Sequence, residues 1–531
     1  MKKILRTLLV GCTCALSSFA QGGNPYLPLW EHIPDGEPYV FEDPDNPGKY
    51  RVYIYGSHDS LIKAYCGREQ VVWSAPVDDL NNWRYDGVIL EPTVDAAGQL
   101  LHEDGKGDVL FAPDVMEYRN PDGTKTYYLY PNNQVGGRQG MIAKASRPDG
   151  PFEICNWNPQ NPRETIGDLG FDPAVFQDED GKVYAYWGFE SCTGAEIDLN
   201  TMATVKPGGK RVDNMISDCK HDGVFRFFEA SSIRKIKDKY VFIYSRLTAP
   251  GEFGLPATNY TLAYAYSDYP LGPFTYGGTI IDARGRDKDE NGNIIATATP
   301  NGNTHGSICE INGQWYVFYH RQTGTQEYSR QAMVAPISVE VERGLGGKVT
   351  ISEAEYTSEG FETNGLDPYK AYPAGLACYF TGKTPAHQEY PNLFYTGSYF
   401  KATYAENPNF KEPYANNDDY TPVINNNDGS IVGYKYYNFD NFSPNKAKLA
   451  IRLSSTGIAG NIKIMLDSPW ESQGGKCIGN IKLGKKLIKP TNVTTKLNMP
   501  TLSGKHALYL VFSSPTPNKE LCSLYTIQFT K

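Results

Sequence analysis

Residues Phe227 to Arg246 read FFEASSIRKIKDKYVFIYSR. A lone carboxylate, Glu229, is followed by small residues, a charged turn and an aromatic strand ending in Ser-Arg. The same grammar recurs from Gly36 (GEPYVFEDPDNPGKYRVYIYGS), Ala112 (APDVMEYRNPDGTKTYYLY), Phe171 (FDPAVFQDEDGKVYAYWGF) and His305 (HGSICEINGQWYVFYHR). In each copy a polar residue leads a short apolar strand, a turn rich in Gly, Asp, Asn or Lys, and a Tyr-rich strand, which is the pattern of a β-hairpin. Copies at intervals of roughly 55 to 80 residues leave room for two more strands each, and four-stranded sheets repeated radially make a propeller. The innermost strands then converge on one axis, so Glu37, Asp114, Asp172, Glu229 and His305 are expected to share a central pocket.

The second blade closes with MIAKASRPDGPFEI from Met141 and the fourth with TLAYAYSDYPLGPFTYGGTII from Thr261, and the shared Gly-Pro-Phe supports the repeat. Longer inserts, Pro207 to Phe225 and Asp282 to Thr304, are expected as loops on a pocket face. The propeller is expected over residues 24–360 and a linker over 361–372. Short alternating strands such as KLAIRLSS, GNIKIMLDS and HALYLVFSS then predict a jelly-roll-like β-sandwich over 373–531. The fold class is therefore all-β, a five-bladed propeller followed by a sandwich.

A chain of 531 residues with 40% apolar and 21% charged residues suits two globular domains. Its net charge of -9 argues against nucleic acid, whose backbone needs a basic face. The start MKKILRTLLVGCTCALSSFA has a basic end, an apolar run and a small-residue site at Ser18-Phe19-Ala20, so residues 1–20 are expected to be a signal peptide. The protein is then exported to the periplasm, cell surface or medium. Leu9-Val10-Gly11-Cys12 also resembles a lipoprotein signal, which leaves a lipid anchor through Cys12 open, although the apolar run before it is short. No later segment is long and apolar enough to span a membrane. Eight cysteines beyond the leader lack metal-type spacing, which excludes a zinc site and leaves buried thiols and one or two disulfides both open. A monomer without an organic cofactor is expected.

Two carboxylates flanking a pocket are the minimum for glycoside hydrolysis, one protonating the leaving oxygen and the other activating water or attacking directly. A third nearby raises the acid's pKa by like-charge repulsion. Repeats alone do not assign these roles, and an Asp at a blade start, Asp114 included, also serves to bond neighbouring backbone amides.

The ordered set Glu37-Pro38-Tyr39-Val40, Ala112-Pro113-Asp114-Val115, Phe171-Asp172-Pro173-Ala174-Val175-Phe176, Glu229-Ala230 and Asn303-Thr304-His305-Gly306-Ser307 resembles glycoside hydrolase family 43. That resemblance implies inverting hydrolysis of arabinofuranosides, xylosides or some galactosides. It implies Glu229 as general acid and Asp172 as the carboxylate that tunes it. The family's base is usually an Asp directly before Pro; this chain has Glu37 there, which is taken as the base with Asp35 in reserve. His305 aligns with a histidine that in a number of members helps hold a hydrated cation, commonly Ca2+, on the axis. Arg321, with Asp114 and more weakly Arg246, is expected to contact the sugar. The C-terminal stretches DGSIVGYKYYNFDNF from Asp428, GNIKIMLDSPWESQGGKCIGNIKL from Gly460 and SGKHALYLVFSS from Ser503 resemble a family 6 carbohydrate-binding module, with Trp470, Tyr436 and Tyr437 available for stacking or for packing.

The function expected is removal of terminal sugars from plant-type polysaccharide, as an α-L-arabinofuranosidase before a β-xylosidase or exo-β-galactosidase. The competing class is a non-catalytic glycan-binding protein with a degenerate propeller site.

Overall fold

The computed structural model describes residues 18–20, 22–61, 64–220, 223–402 and 421–531. The leader expected over 1–20 lies outside them up to residue 17, Cys12 included; Ser18–Ala20 pair as an edge strand with Asn82–Arg84.

The propeller follows from strands that are apolar on both faces. In Lys239–Arg246, Tyr240, Phe242 and Tyr244 pack in one cluster with Tyr186 of the preceding sheet, while Val241 and Ile243 pack in another with Val317 and Met333 of the following one. Alternation of period two thus feeds two different interfaces, which is why the strand reads as continuously hydrophobic. Four antiparallel sheets start at Glu37, Leu110, Ala174 and Phe227, each with four consecutive strands in order, and a three-stranded sheet starts at Ser307. Each neighbouring pair shares one apolar cluster: Tyr53 with Leu129, Tyr130 with Trp187, Tyr186 with Phe242, Ile243 with Val317, and Phe318 back to Trp73. The fifth cluster closes the ring.

Blade 5 lacks a fourth strand, and the segment before blade 1 takes that edge. The Asn24 side chain imitates a backbone pair there, donating from Nδ2 to the Val334 carbonyl (2.8 Å) and accepting the Val334 N–H at Oδ1 (3.1 Å). At the axis Gly36 bridges Gly306 in parallel, joining blades 1 and 5 beside the residues expected to carry the chemistry.

The sandwich begins to pair at Tyr372–Pro373 and stacks two antiparallel sheets. One runs through Val423–Asn426, Cys522–Thr530, Lys448–Ser455 and Leu487–Lys496; the other through Tyr379–Thr381, Ile431–Asn438, Lys505–Ser513, Gly460–Leu466 and Lys476–Leu483. Leu449, Ile451, Ile462, Ile464, Leu508 and Leu510 fill the space between them. All eight cysteines among the described residues are free thiols, so no disulfide joins any of them.

Arg321 is corrected here. Expected against sugar hydroxyls, its guanidinium instead crosses to the second domain, donating to the carbonyls of Ala377 (2.9 Å) and Gly375 (2.7 Å) and to Gln331 Oε1 (2.9 Å), over the ring of Phe400. The Tyr-His-Arg strand end therefore serves the domain interface. Two buried carbonyls lose their donor in Arg321→Ala, at about 1–3 kcal/mol each. That variant is expected to melt several degrees lower by calorimetry while its KM for a small glycoside stays within about twofold; a raised KM at unchanged Tm would restore the sugar-binding role.

Candidate active site

Asp35, Asp172 and Glu229 enter the hub from the starts of blades 1, 3 and 4, each on unusual backbone. Asp35 and Asp172 have φ of 60° and 47°, and Ala230, directly after Glu229, has 70°. Left-handed backbone is uncommon outside glycine, though Asp adopts it more readily than Ala, and it collects where function over-determines it. Around Glu229 the pairing of Phe227–Ile236 with Lys239–Arg246 shifts register on both sides, a bulge that re-aims the side chain out of the strict alternation.

Each carboxylate is held differently. Asp35 is buried, accepting the Ser57 hydroxyl at Oδ2 (2.6 Å) and Arg330 Nη1 at Oδ1 (3.0 Å). Arg330 is fixed in turn by Asp59, which takes its Nε (2.9 Å) and Nη2 (2.8 Å). Burial pushes the Asp35 carboxyl up, but Arg330 and its neighbours outweigh this and hold it below the usual carboxylate range, so it is ionised. His320, driven down to about 3 by burial and then by Arg330, is neutral. Its Nδ1 accepts the Asp35 N–H (3.3 Å) while Nε2 lies 2.8 Å from the Asn303 carbonyl, so the ring pins the Asp35 backbone.

Glu229 is half-buried, and no described residue hydrogen-bonds its carboxyl. Burial and then the charge of Asp172 push its pKa up to about 8, so it carries a proton at neutrality. Asp172 accepts Asn132 Nδ2 (2.6 Å) and lies 3.5 Å from His305 Nδ1. Phe171 and Phe228, chain neighbours of the two acids, meet Phe189, 48% exposed, at ring distances of 5.1 and 5.2 Å, an apolar edge to the site.

Glu37 lies one layer further along the axis. Its Oε2 accepts Arg234 Nη2 (2.8 Å) and the Ser232 hydroxyl (3.2 Å), and Oε1 is 3.7 Å from His305 Nε2. Burial opposes its charge, but Arg234 and His305 keep it ionised. Arg234 also lines a cavity of about 730 Å³ with Tyr39, Glu117, Asp178 and Lys235, which contains none of Asp35, Asp172 or Glu229. Asp114, expected to bind substrate, is corrected to a buried tie between blades. It accepts the Tyr39 hydroxyl (2.6 Å) and the N–H groups of Val115 and Val175 (both 2.7 Å). Arg246 likewise stays within blade 4, donating to the Val224 carbonyl and Glu252 (both 2.8 Å).

His305 bridges the two layers. Burial works against charge on its ring, but Asp172 and Glu37 outweigh it and hold the imidazole well above its ordinary value. Both ring nitrogens and Glu37 Oε1 are buried without a hydrogen-bond partner, and among the described residues no group of three His, Cys, Asp or Glu is spaced to hold a metal ion. A Ca2+ beside His305 would therefore take most of its ligands from water rather than from a protein cage.

Residues 44–342 match the family model described as glycosyl hydrolases family 43. The chain belongs to that family. The match takes in Asp172, Glu229, His305 and Arg330 and begins after Asp35 and Glu37. Residues 404–531 match the carbohydrate binding module, family 6. A xylosidase/arabinosidase of Thermoclostridium stercorarium is 33% identical over 92% of this chain and 95% of its own length. An arabinoxylan arabinofuranohydrolase of Paenibacillus polymyxa is 26% identical over 96% of this chain and 73% of its own. A crystallised family 43 arabinoxylan arabinofuranohydrolase from Bacillus subtilis is 21% identical, covers 96% of this chain and 97% of its own, and has a TM-score of 0.44.

The glycoside hydrolase site uses residues that the hairpin grammar does not expose. Arg330, Asp59, His320 and Asn132 do not lead any inner strand, so no repeat position flags them. The titration states give a pH dependence. For an acid at Glu229 and a base at Asp35, kcat/KM is expected to fall about tenfold per unit above roughly pH 8, with the acid limb below the ordinary carboxylate range. Asp172→Asn removes a charge that raises Glu229, so the alkaline limb should move to lower pH; an unmoved limb in that variant would rule out Glu229 as the group titrating there.

Proposed function

We propose that the enzyme is an exported, inverting exo-glycosidase that removes terminal α-L-arabinofuranosyl units from plant-wall polysaccharide. The observation that carries this is the opposed protonation of two carboxyls at one hub: Glu229 kept protonated by burial and Asp172, Asp35 kept ionised by Arg330. An acid and a base in those states are what single displacement by water requires. The two relatives that cover nearly all of this chain are named a xylosidase/arabinosidase and an arabinoxylan arabinofuranohydrolase. The basic-apolar leader pattern supports export.

In this reading the terminal sugar sits over the axis. Asp35 takes a proton from a water as its oxygen attacks the anomeric carbon, while Glu229 gives its proton to the departing oxygen, whose bond to that carbon breaks. Such carboxyl pairs stand about 6.5–9.5 Å apart to admit the water. Asp172 keeps Glu229 protonated between turnovers and, through Asn132 and His305, is itself held in position. The base is assigned to Asp35 rather than Glu37 because Arg234 and Ser232 already take one Glu37 oxygen and the other faces His305. Glu37 is also the more enclosed of the two, 1% exposed against 5% for Asp35. Glu37 then acts as the counter-charge beneath His305. β-Xylosidase is the second reading, favoured by the double name of the Thermoclostridium relative.

Aryl α-L-arabinofuranoside, β-xyloside and β-galactoside, with arabinan, arabinoxylan and arabinogalactan, separate these. The arabinofuranoside is expected to be fastest, with inversion of the first-formed anomer by proton NMR. Glu229→Gln should lower kcat by about 10²–10⁴-fold. Azide should restore turnover to Asp35→Ala, forming the glycosyl azide of inverted configuration, and not to Glu37→Ala; the reverse pattern returns the base to Glu37. Binding of the polymers without hydrolysis of any glycoside would leave only the glycan-binding alternative.

A further inference from the structure

The second domain sends one hairpin across to the propeller. His387–Glu389 pairs with Asn392–Phe394, leaving Tyr390-Pro391 as a two-residue tip. The hairpin lies along the loop that precedes Arg330: Gln326 bridges Asn392, the Glu327 N–H donates to the Pro391 carbonyl (3.2 Å) and the Leu393 N–H to the Thr325 carbonyl (2.8 Å). Asn301 Nδ2 adds a bond to Gln388 Oε1 (2.7 Å). With its base so firmly tied, the tip still leaves Tyr390 70% exposed. A large ring held out on a clamped hairpin has no part in the packing of either domain.

What surrounds that ring connects it to the hub. The Tyr65 hydroxyl donates to Glu327, the residue whose N–H holds Pro391. Tyr65 and Tyr328 meet edge to face at 5.0 Å, and the phenol of Tyr390 acts electrostatically on both. On its inner side Tyr65 stacks under Arg330, whose guanidinium carbon is 4.9 Å from the ring centre and whose Nη1 holds Asp35. From Asp35 outward the order is therefore Arg330, Tyr65, Tyr328 and Tyr390, half-buried tyrosines grading to an exposed one. Tyr390 thus stands at the exposed outer end of a series of rings whose inner end is the arginine that holds Asp35.

We propose that Tyr390, lent by the second domain, completes with Tyr65 and Tyr328 an aromatic wall that binds the sugar rings of the polysaccharide main chain beyond the terminal residue. This rests on the glycosidase reading given above and names the part of the substrate that reading leaves open. The apolar face of a pyranose ring lies flat on a phenol, and exposed phenols at a pocket mouth suit a ligand that is itself amphipathic. The sandwich thereby becomes part of the active site, and the hairpin 387–394 is the device by which it reaches there.

The test compares short arabinosylated xylo-oligosaccharides, too small to span to a distant site on the sandwich, with an aryl arabinofuranoside, using the full chain. Tyr390→Ala is expected to lower kcat/KM on the oligosaccharides about five- to tenfold, the size of one lost aromatic contact, chiefly through KM, and to leave the aryl glycoside within about twofold. Tyr390→Trp should retain the oligosaccharide rate, and Tm should be unchanged in both because the tip is exposed. Equal effects on the two substrate classes, or none on either, overturn the wall while leaving the glycosidase reading intact. A wild type that cleaves the aryl glycoside but no oligosaccharide removes the main chain as occupant. A wild type inactive on both classes defeats the glycosidase reading itself, and the wall with it.

Discussion

Five carboxyls crowd the propeller axis, and their mutual repulsion is the constraint the rest of the site answers. Asp35, Glu37, Asp114 and Asp172 are each nearly inaccessible to solvent, where an unpaired charge is costly. Three cations make the arrangement tolerable, and each stands at a different depth. Arg330 serves Asp35 at the substrate side, His305 lies between Asp172 and Glu37, and Arg234 serves Glu37 beneath. Among the described residues no cation is bonded to Glu229, so nothing offsets burial and the charge of Asp172 enough to ionise it, and it stays protonated. At the floor Asp114 shows the same logic without a catalytic use: burial and then the charge of Glu37 push it up to about 7.

The ring of blades makes this crowding possible. Because both faces of every sheet are buried against neighbours, the polar ends of the inner strands have only the axis to point into. The hairpin grammar therefore displayed two things at once, the sheets through their alternating aromatics and the hub through the one polar residue that starts each copy. The hub was legible to that extent. Its layering was not. Asp35 and Glu37 are two residues apart, which on extended chain is about 6.5 Å, enough to separate the level of Glu229 from the level of Ser232. No pattern in GEPYVF reports depth along an axis.

The arginines show the other limit. Arg246, Arg321 and Arg330 all stand at strand ends beside Ser, His or Gln, and composition treats them alike. Arg330 reaches the hub because Asp59, in the long connection after the second strand of blade 1, draws it inward through two bonds. Arg321, nine residues earlier on the adjacent strand, points to the opposite side of the blade, where Gly375 and Ala377 offer carbonyls. Which arginine reaches the hub is decided by partners far off in the chain, 271 and 295 residues away for Arg330 and 56 and 54 for Arg321, and such pairings leave no local trace.

The second domain follows the same rule of distant partners. Of the three aromatics its sequence offered for stacking, Tyr437 is wholly enclosed in the sandwich core and Tyr436 donates its hydroxyl to Glu355 of the propeller (2.8 Å). Trp470 borders a cavity of about 330 Å³ that Asp289, Glu290 and Asn291 of the propeller insert complete. Tyr436 and Tyr437 are thus engaged at or behind the domain boundary, and Trp470 faces the cavity between the domains. Lys435 adds a bond to Asp287 there (2.6 Å), and the Phe380 N–H one to the Thr297 carbonyl (2.5 Å). A module secured by this many polar contacts cannot swing on a tether to search a polymer independently of the catalytic pocket. Whatever glycan it engages is therefore presented to the propeller at a fixed offset.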